Sequence, residues 1–259
     1  MRRIFYIALI GLMAGCTALD DFAPRAAGSP PYAGMRPPAV EPRTYAGTTR
    51  DLSRIVDRQI ATNKVMGLFA RYDPQVQDDL TAVVNRAQLD GGPALIRTRV
   101  RDAALRIPRR MLRKHAAQGS DDAVLKLAWA SYALTGKLYE LRGSCAYNVV
   151  VATATDAEMR EIRPLFDRYI AALEDLLRSS TQAPRAVPDP SGEAGAITRA
   201  SWTVEQREGV RADALPLEDL SDPDVCRYLR GLMAEMLSYP PHRAAYMLRA
   251  YYFRLGAID

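Results

Sequence analysis

Lysine and histidine are scarce in this chain of 259 residues, with four Lys and only two His, His115 and His242. So few imidazoles disfavour histidine-rich metal centres and narrow any acid–base mechanism built on histidine. No apolar run reaches 18 residues, which excludes an ordinary transmembrane helix. Common catalytic motifs are missing as well: there is no Gly-x-Ser-x-Gly, His-Glu-x-x-His, phosphate loop, Cys-x-x-Cys or Ser-x-x-Lys. What is present is ordinary for a globular chain: 48% hydrophobic and 25% charged residues, enough for one large domain or two small ones. Basic residues exceed acidic ones by 35 to 30, and 31 of the 35 are Arg, a bias that a GC-rich genome produces without functional pressure.

The N-terminus carries the clearest signal. Met1-Arg2-Arg3 is a short positive stretch, Ile4 to Met13 an apolar core of ten residues, and Ala14-Gly15-Cys16 follows at once. That order is a secretory signal peptide, and ten helical residues span only about 15 Å, too short for a bilayer core. The segment Met13-Ala14-Gly15-Cys16 resembles the cleavage box of bacterial lipoprotein precursors, with Met13 where the family has Leu. The resemblance covers residues 1–16 and implies cleavage before Cys16, a diacylglyceryl group on its sulfur and often a third acyl chain on its amine. Two or three chains hold a protein stably where one does not. Thr17, rather than Asp, follows Cys16 and resembles the outer-membrane sorting pattern of enteric bacteria. The expected location is therefore the cell envelope, facing the periplasm, at the outer rather than the inner membrane. The alternative is a plain secreted protein with a chance Cys at the cleavage site. Removing residues 1–15 leaves a net charge of +3, too mild for a nucleic-acid binder.

Residues 16–47 hold six prolines and three glycines without apolar periodicity and read as an extended tether. From residue 48 to 259 the pattern is helical. The spacing predicts a helix from Thr48 or Thr49 to Gly67, and a second from Asp73-Pro74 that stops at Asp90-Gly91-Gly92. A third opens at Pro93 and is broken or kinked by Pro108, with a shorter piece continuing to Gly119. Another runs from Ser120 to Gly143, and the capping box Thr155-x-x-Glu158 opens a further one. Residues 179–200 read as a loose loop or linker, and Thr203-x-x-Gln206 as the cap of a short helix. Asp222-Pro223 and Pro240-Pro241 precede the last two helices. The run from Ala146 to Ala154 is equally a strand or a buried helix. The expected fold is all-α: a compact domain of six to nine helices behind the tether. The stretch from Trp129 to Leu141 and the C-terminal aromatics Tyr239, Tyr246, Tyr251, Tyr252 and Phe253 read as core.

With Cys16 lipidated, Cys145 and Cys226 remain, and in an oxidising compartment they are expected to pair; two unpaired core thiols are the alternative. Residues 97–114 carry a local charge of +7, and Arg99, Arg106, Arg110 and Arg113 lie opposite the Ile96–Val100–Ile107 stripe. Such a face suits anionic headgroups or an acidic partner; otherwise it is a solvated face balanced by acids such as Glu158, Glu161 and Glu174. No cofactor or metal is expected, and neither His115 nor His242 reads as a ligand. The leading expectation is an envelope lipoprotein that acts as a binding or assembly module for a protein or an envelope polymer. The alternatives are an anchored hydrolase of cell wall or lipid, with Glu140 and Glu235 as the candidate acids, and a structural lipoprotein without a specific ligand. Mass spectrometry of the mature N-terminus is expected to find a fragment that begins at Cys16 and carries two or three acyl chains. In Cys16→Ser neither the cleavage nor the acylation is expected; an unlipidated wild-type fragment beginning elsewhere overturns the lipoprotein reading.

Overall fold

The structure, a computed structural model, describes residues 49–215 and 219–255. The signal peptide at 1–15, Cys16 and the tether at 16–47 lie outside the described residues. Nine α-helices and no strand make up the described part: α1 (Thr49–Thr62), α2 (Lys64–Tyr72), α3 (Gln75–Gln118), α4 (Asp121–Arg142), α5 (Tyr147–Thr153), α6 (Asp156–Gln182), α7 (Pro190–Glu208), α8 (Pro223–Leu237) and α9 (Pro241–Leu255). The all-α expectation is met. None of these helices is long and apolar enough to cross a membrane.

Local chemistry sets most boundaries. The Ser120 hydroxyl caps α4 by accepting from the Ala123 N–H, and Asp121 and Asp122 sit on the positive end of its dipole. Gly143 closes α4 in the left-handed region at φ 63°, which a side chain would resist. Thr155 and Glu158 form the expected capping box of α6. Asp222 accepts from two backbone N–H groups at the start of α8, with Pro223 in the first turn. The run 146–154 is helical, as α5.

Three boundaries differ from the sequence reading. The first helix does not continue to Gly67. Asn63 turns extended (φ −99°, ψ 103°) and its side chain accepts from Val65 N and Met66 N, starting α2 afresh. Gly67 instead lets α2 pass close to α1, since a Cβ there would lie 2.8 Å from the Ile60 carbonyl oxygen. Residues 179–200 are not a loose loop. α6 runs to Gln182, and α7 begins at Pro190 behind the Asp189 cap, leaving 183–189 as the connection. The inner face of α7 combines small residues, Ala196, Ala200 and Ser201, with Ile197 and Val204, all buried; Thr203 and Gln206 lie within this helix rather than at a new start.

The third difference concerns α3, which stays helical from Gln75 to Gln118 through Gly91, Gly92, Pro93 and Pro108. Straight, 44 residues would reach about 66 Å, and residues 41 apart would be separated by about 60 Å. Yet Lys114 Nζ lies 2.9 Å from Asp73 Oδ2, and Arg110 pairs with Asp79. The axis must therefore reverse. Both ion pairs straddle a midpoint at Pro93–Leu95, so α3 is a helical hairpin with its turn beside Gly91-Gly92-Pro93. The stop read from those residues is real as a reversal of direction within the α3 span. Pro108 lies inside the α3 span and does not end it.

One contiguous apolar cluster joins the helices. α4 packs on α6, α8 and α9, and Val124, Leu127, Ala128, Leu134 and Leu138 are fully enclosed there. Tyr251 and Tyr252 are buried as expected, with Tyr239 at the edge of the cluster. Arg249 of α9 is 4% exposed and closes the corner between α3 and α4. Its guanidinium donates to the Ala117 carbonyl from Nε (3.0 Å) and Nη2 (2.7 Å), donates to the Ala186 carbonyl, and lies 3.6 Å from Asp121. It thereby satisfies an end-of-helix carbonyl of α3 that burial would otherwise leave unpaired.

The Cys145 and Cys226 sulfurs are 1.95 Å apart with Cα atoms at 5.3 Å, joining the segment after α4 to the first turns of α8. Beside them the Cys145 N–H donates to the Leu220 carbonyl at 2.9 Å. Closing a loop of 81 residues removes chain entropy from the unfolded state. Cys226→Ser is expected to cost about 2–5 kcal/mol of stability, read as a lower midpoint in urea denaturation. A reductant should cause the same loss in the wild type and none in the variant; an unchanged midpoint in the wild type overturns the pairing.

Candidate functional site

The arginines singled out in sequence sit on the second arm of the α3 hairpin. Ile96, Val100, Ala103, Ile107 and Met111 turn inward, each no more than 6% exposed. Arg99, Arg106 and Arg110 are exposed on the other side, and Arg113 is half-buried. Their fates differ. Arg110 is neutralised by Asp79 across the hairpin, and the Arg113 guanidinium lies 5.0 Å from the Phe253 ring centre. Arg99 and Arg106 have no carboxylate partner among the described residues. Between the arms on this side runs a groove of about 670 Å³ with an apolar floor of Ala82, Val83, Ala103 and Ile107 and with Arg106 on its rim.

The acids expected to balance this face are used elsewhere. Glu158 takes a two-pronged hydrogen bond from Arg142 at 2.8 and 3.0 Å, Glu161 pairs with Lys137, and Glu174 pairs with Arg71. The Arg142 fork, helped by the Thr155 N–H, holds the Glu158 carboxyl down at about 2. The hairpin draws instead on Asp73, Asp79 and Asp90.

A second surface escaped the sequence reading. Trp129 is 54% exposed rather than core. It stands on α4 off the Val124–Leu127–Leu134–Leu138 stripe, edge-on to Tyr132 at 6.2 Å. It walls a groove of about 550 Å³ between α4 and α6, floored by Leu125, Ala130, Ala133, Ala171 and Ala172. Asp122, Lys126 and Asp175 on the rim satisfy one another, with Lys126 Nζ 2.8 and 4.0 Å from the two carboxylates. Arg168, also on the rim, has no carboxylate partner among the described residues. The signal that could have located Trp129 is its phase: it lies about two positions off the buried stripe, on the outward face of the helix. Trp202 is 62% exposed on the outer face of α7.

On α4 and α8, the Arg230 guanidinium lies 5.3 Å from the Tyr132 ring and 5.5 Å from the Tyr139 ring. Gly136 leaves it room: a Cβ there would sit 3.1 Å from Nη2.

Both candidate acids face a basic side chain. Glu140 is 68% exposed and paired with Lys137; Glu235 lies 3.7 Å from Arg207. Among the described residues, the carboxyls displaced from their ordinary value are displaced downward. For Asp73, burial pulls upward, but Lys114 and the Gln75 N–H outweigh it; for Asp213, the Arg211 hydrogen bond leads. A general acid needs the opposite shift. Among the described residues no three His, Cys, Asp or Glu side chains are grouped to hold a metal.

His115 is 2% exposed, with Nδ1 2.7 Å from Ser180 Oγ. The Ser180 hydroxyl donates to the Leu177 carbonyl, so it accepts from Nδ1–H and Nε2 keeps a bare lone pair. Burial first, and then the Lys114 charge, lower its pKa to about 4. Because the folded value lies below the unfolded one of about 6.5, the unfolded chain binds the proton first as pH falls. Stability tied to this residue is therefore complete above about pH 6.5 and is lost down to about pH 4, a total of about 3 kcal/mol. His115→Gln is expected to flatten the stability profile between those limits in urea titrations at successive pH values; an unchanged slope overturns the assignment. Comparison of the chain with protein-family models, curated proteins and solved structures finds no match.

Proposed function

We propose that this protein is a lipid-anchored envelope protein, held by acyl chains on Cys16 and facing the periplasm, that works as a binding or assembly module for an envelope partner. The signal peptide, the Cys16 box and the tether of residues 16–47 support the anchoring. Thr17 favours the outer membrane. The observation that carries the binding role is Trp129, an aromatic side chain standing 54% exposed beside an alanine-floored groove on two closely packed helices. Tryptophans on rigid frames dominate binding energy, because they bury a large area and lose little conformational freedom. The narrow floor suits an apolar helix or extended segment of a partner protein. Arg168 offers that segment a charge to meet, so an acidic residue at its edge fits best.

A photocrosslinking amino acid at position 129 of the full-length protein in its native cells tests this, with position 202 as control. A stoichiometric protein adduct is expected from 129 and not from 202. With the partner so named, Trp129→Ala is expected to weaken purified binding by about 30-fold, the effect of losing about 2 kcal/mol at a hot spot. Adducts confined to the murein or lipid fraction overturn the protein-partner reading.

A further inference from the structure

We propose that the arginine side of the α3 hairpin is a second docking surface, which rests on a membrane rich in anionic phospholipid. The hairpin register carries the argument. With the turn at Pro93–Leu95, position 89 on the first arm stands level with position 99 on the second, and position 82 with position 106. Leu89 is thus near the tip, and at 82% exposure it is the most exposed large apolar side chain among the described residues. Arg99 stands beside it and Arg106 two turns further along the same stripe, both exposed and both without a carboxylate partner among the described residues. An apolar residue at the tip flanked by unpaired arginines matches a bilayer surface, where the side chain enters the acyl boundary and guanidinium groups hold phosphodiesters. The apolar floor of the inter-arm groove, with Arg106 on its rim, offers a place for a lipid headgroup and its glycerol.

An acidic protein would also meet the arginines, but it would not need an exposed leucine near the tip. Arg110 and Lys114, further from the tip, are already neutralised by Asp79 and Asp73. The free charge is therefore concentrated toward the end that carries Leu89. The proposal rests on the lipid-anchored reading for one thing only: a bilayer within reach of the tether.

The test uses the full-length protein with an environment-sensitive fluorescent amino acid in place of Leu89. It is reconstituted in vesicles of phosphatidylcholine alone or of phosphatidylcholine with phosphatidylglycerol, after mass spectrometry has read the lipid on Cys16. Quenching by aqueous iodide is expected to fall at least about fivefold on the anionic vesicles and to stay unchanged on the neutral ones, since the two arginines at the surface, at about fivefold each, bias the tip toward it by about 25-fold. Full quenching is expected to return in 1 M salt, where the Debye length is about 3 Å, and in the double variant Arg99→Glu, Arg106→Glu. Both residues are exposed and without an ion pair among the described residues, so helicity by circular dichroism is expected to be unchanged in that variant. Equal protection on both vesicles overturns the anionic preference. No protection on either, with the lipid present on Cys16, overturns the docking and leaves the arginines to an acidic protein. A chain without lipid on Cys16 contradicts the anchoring reading instead, and the same two vesicle types added to that soluble chain then decide the docking by themselves.

Discussion

A helix of 44 residues is too long to be sheltered whole in a domain of about 200 residues, whose radius of gyration is near 16 Å. The reversal of α3 resolves this, and the rest of the architecture depends on it. Folding back brings Val76, Leu80, Val84 and Ala87 of one arm into the same cluster as Ile96, Val100, Ala103 and Ile107 of the other. It returns the chain to the place where α2 ended, so that α4 can start under the Ser120 cap beside α6 and α9. The end of α3 then becomes buried, and its terminal carbonyls need donors. Arg249 supplies two of its N–H groups there and ties α9 and the 183–189 connection to the same corner.

The same reversal decides which charges are spent. A basic run on one straight helix would have only its own neighbours to pair with. In the hairpin, Asp73 and Asp79 reach across to Lys114 and Arg110, while Arg99 and Arg106 are exposed and have no carboxylate partner among the described residues. The acids of α6 are drawn toward α2 and α4 by Lys64, Arg71, Lys137 and Arg142. The local excess of +7 read along the sequence is thus divided into neutralised and free parts. Among the described residues the arginines without a carboxylate partner, Arg99 and Arg106, lie nearer the tip than Arg110 and Lys114.

Elements whose signals are local were legible in advance. Capping by Ser120, Thr155 and Asp222 depends on side chains within three residues of the backbone they bond, and each helix starts where its cap stands. α7 was not legible, because its buried face is built from Ala196, Ala200 and Ser201, which periodicity arguments weigh lightly, behind a Pro- and Gly-rich start. Trp129 was misread for a related reason. An aromatic in an apolar stretch reads as core, but the adjoining alanines of α4 and α6 let those helices pack closely beneath it and leave the indole outside.

By itself the sequence determined the helical class and most of the caps, since each follows from residue types a few positions apart; it read an interruption at Gly91-Gly92-Pro93 and expected Cys145 to pair with Cys226, and the structure shows a reversal within α3 there and the two sulfurs 1.95 Å apart. Tertiary structure alone decided that the reversed arms stay helical and register Asp79 against Arg110, that His115 is sealed in a site that keeps it neutral, and that Trp129 borders a groove. Those outcomes depend on which groups from distant segments arrive together, and burial and charge pairing exist only once the helices have packed.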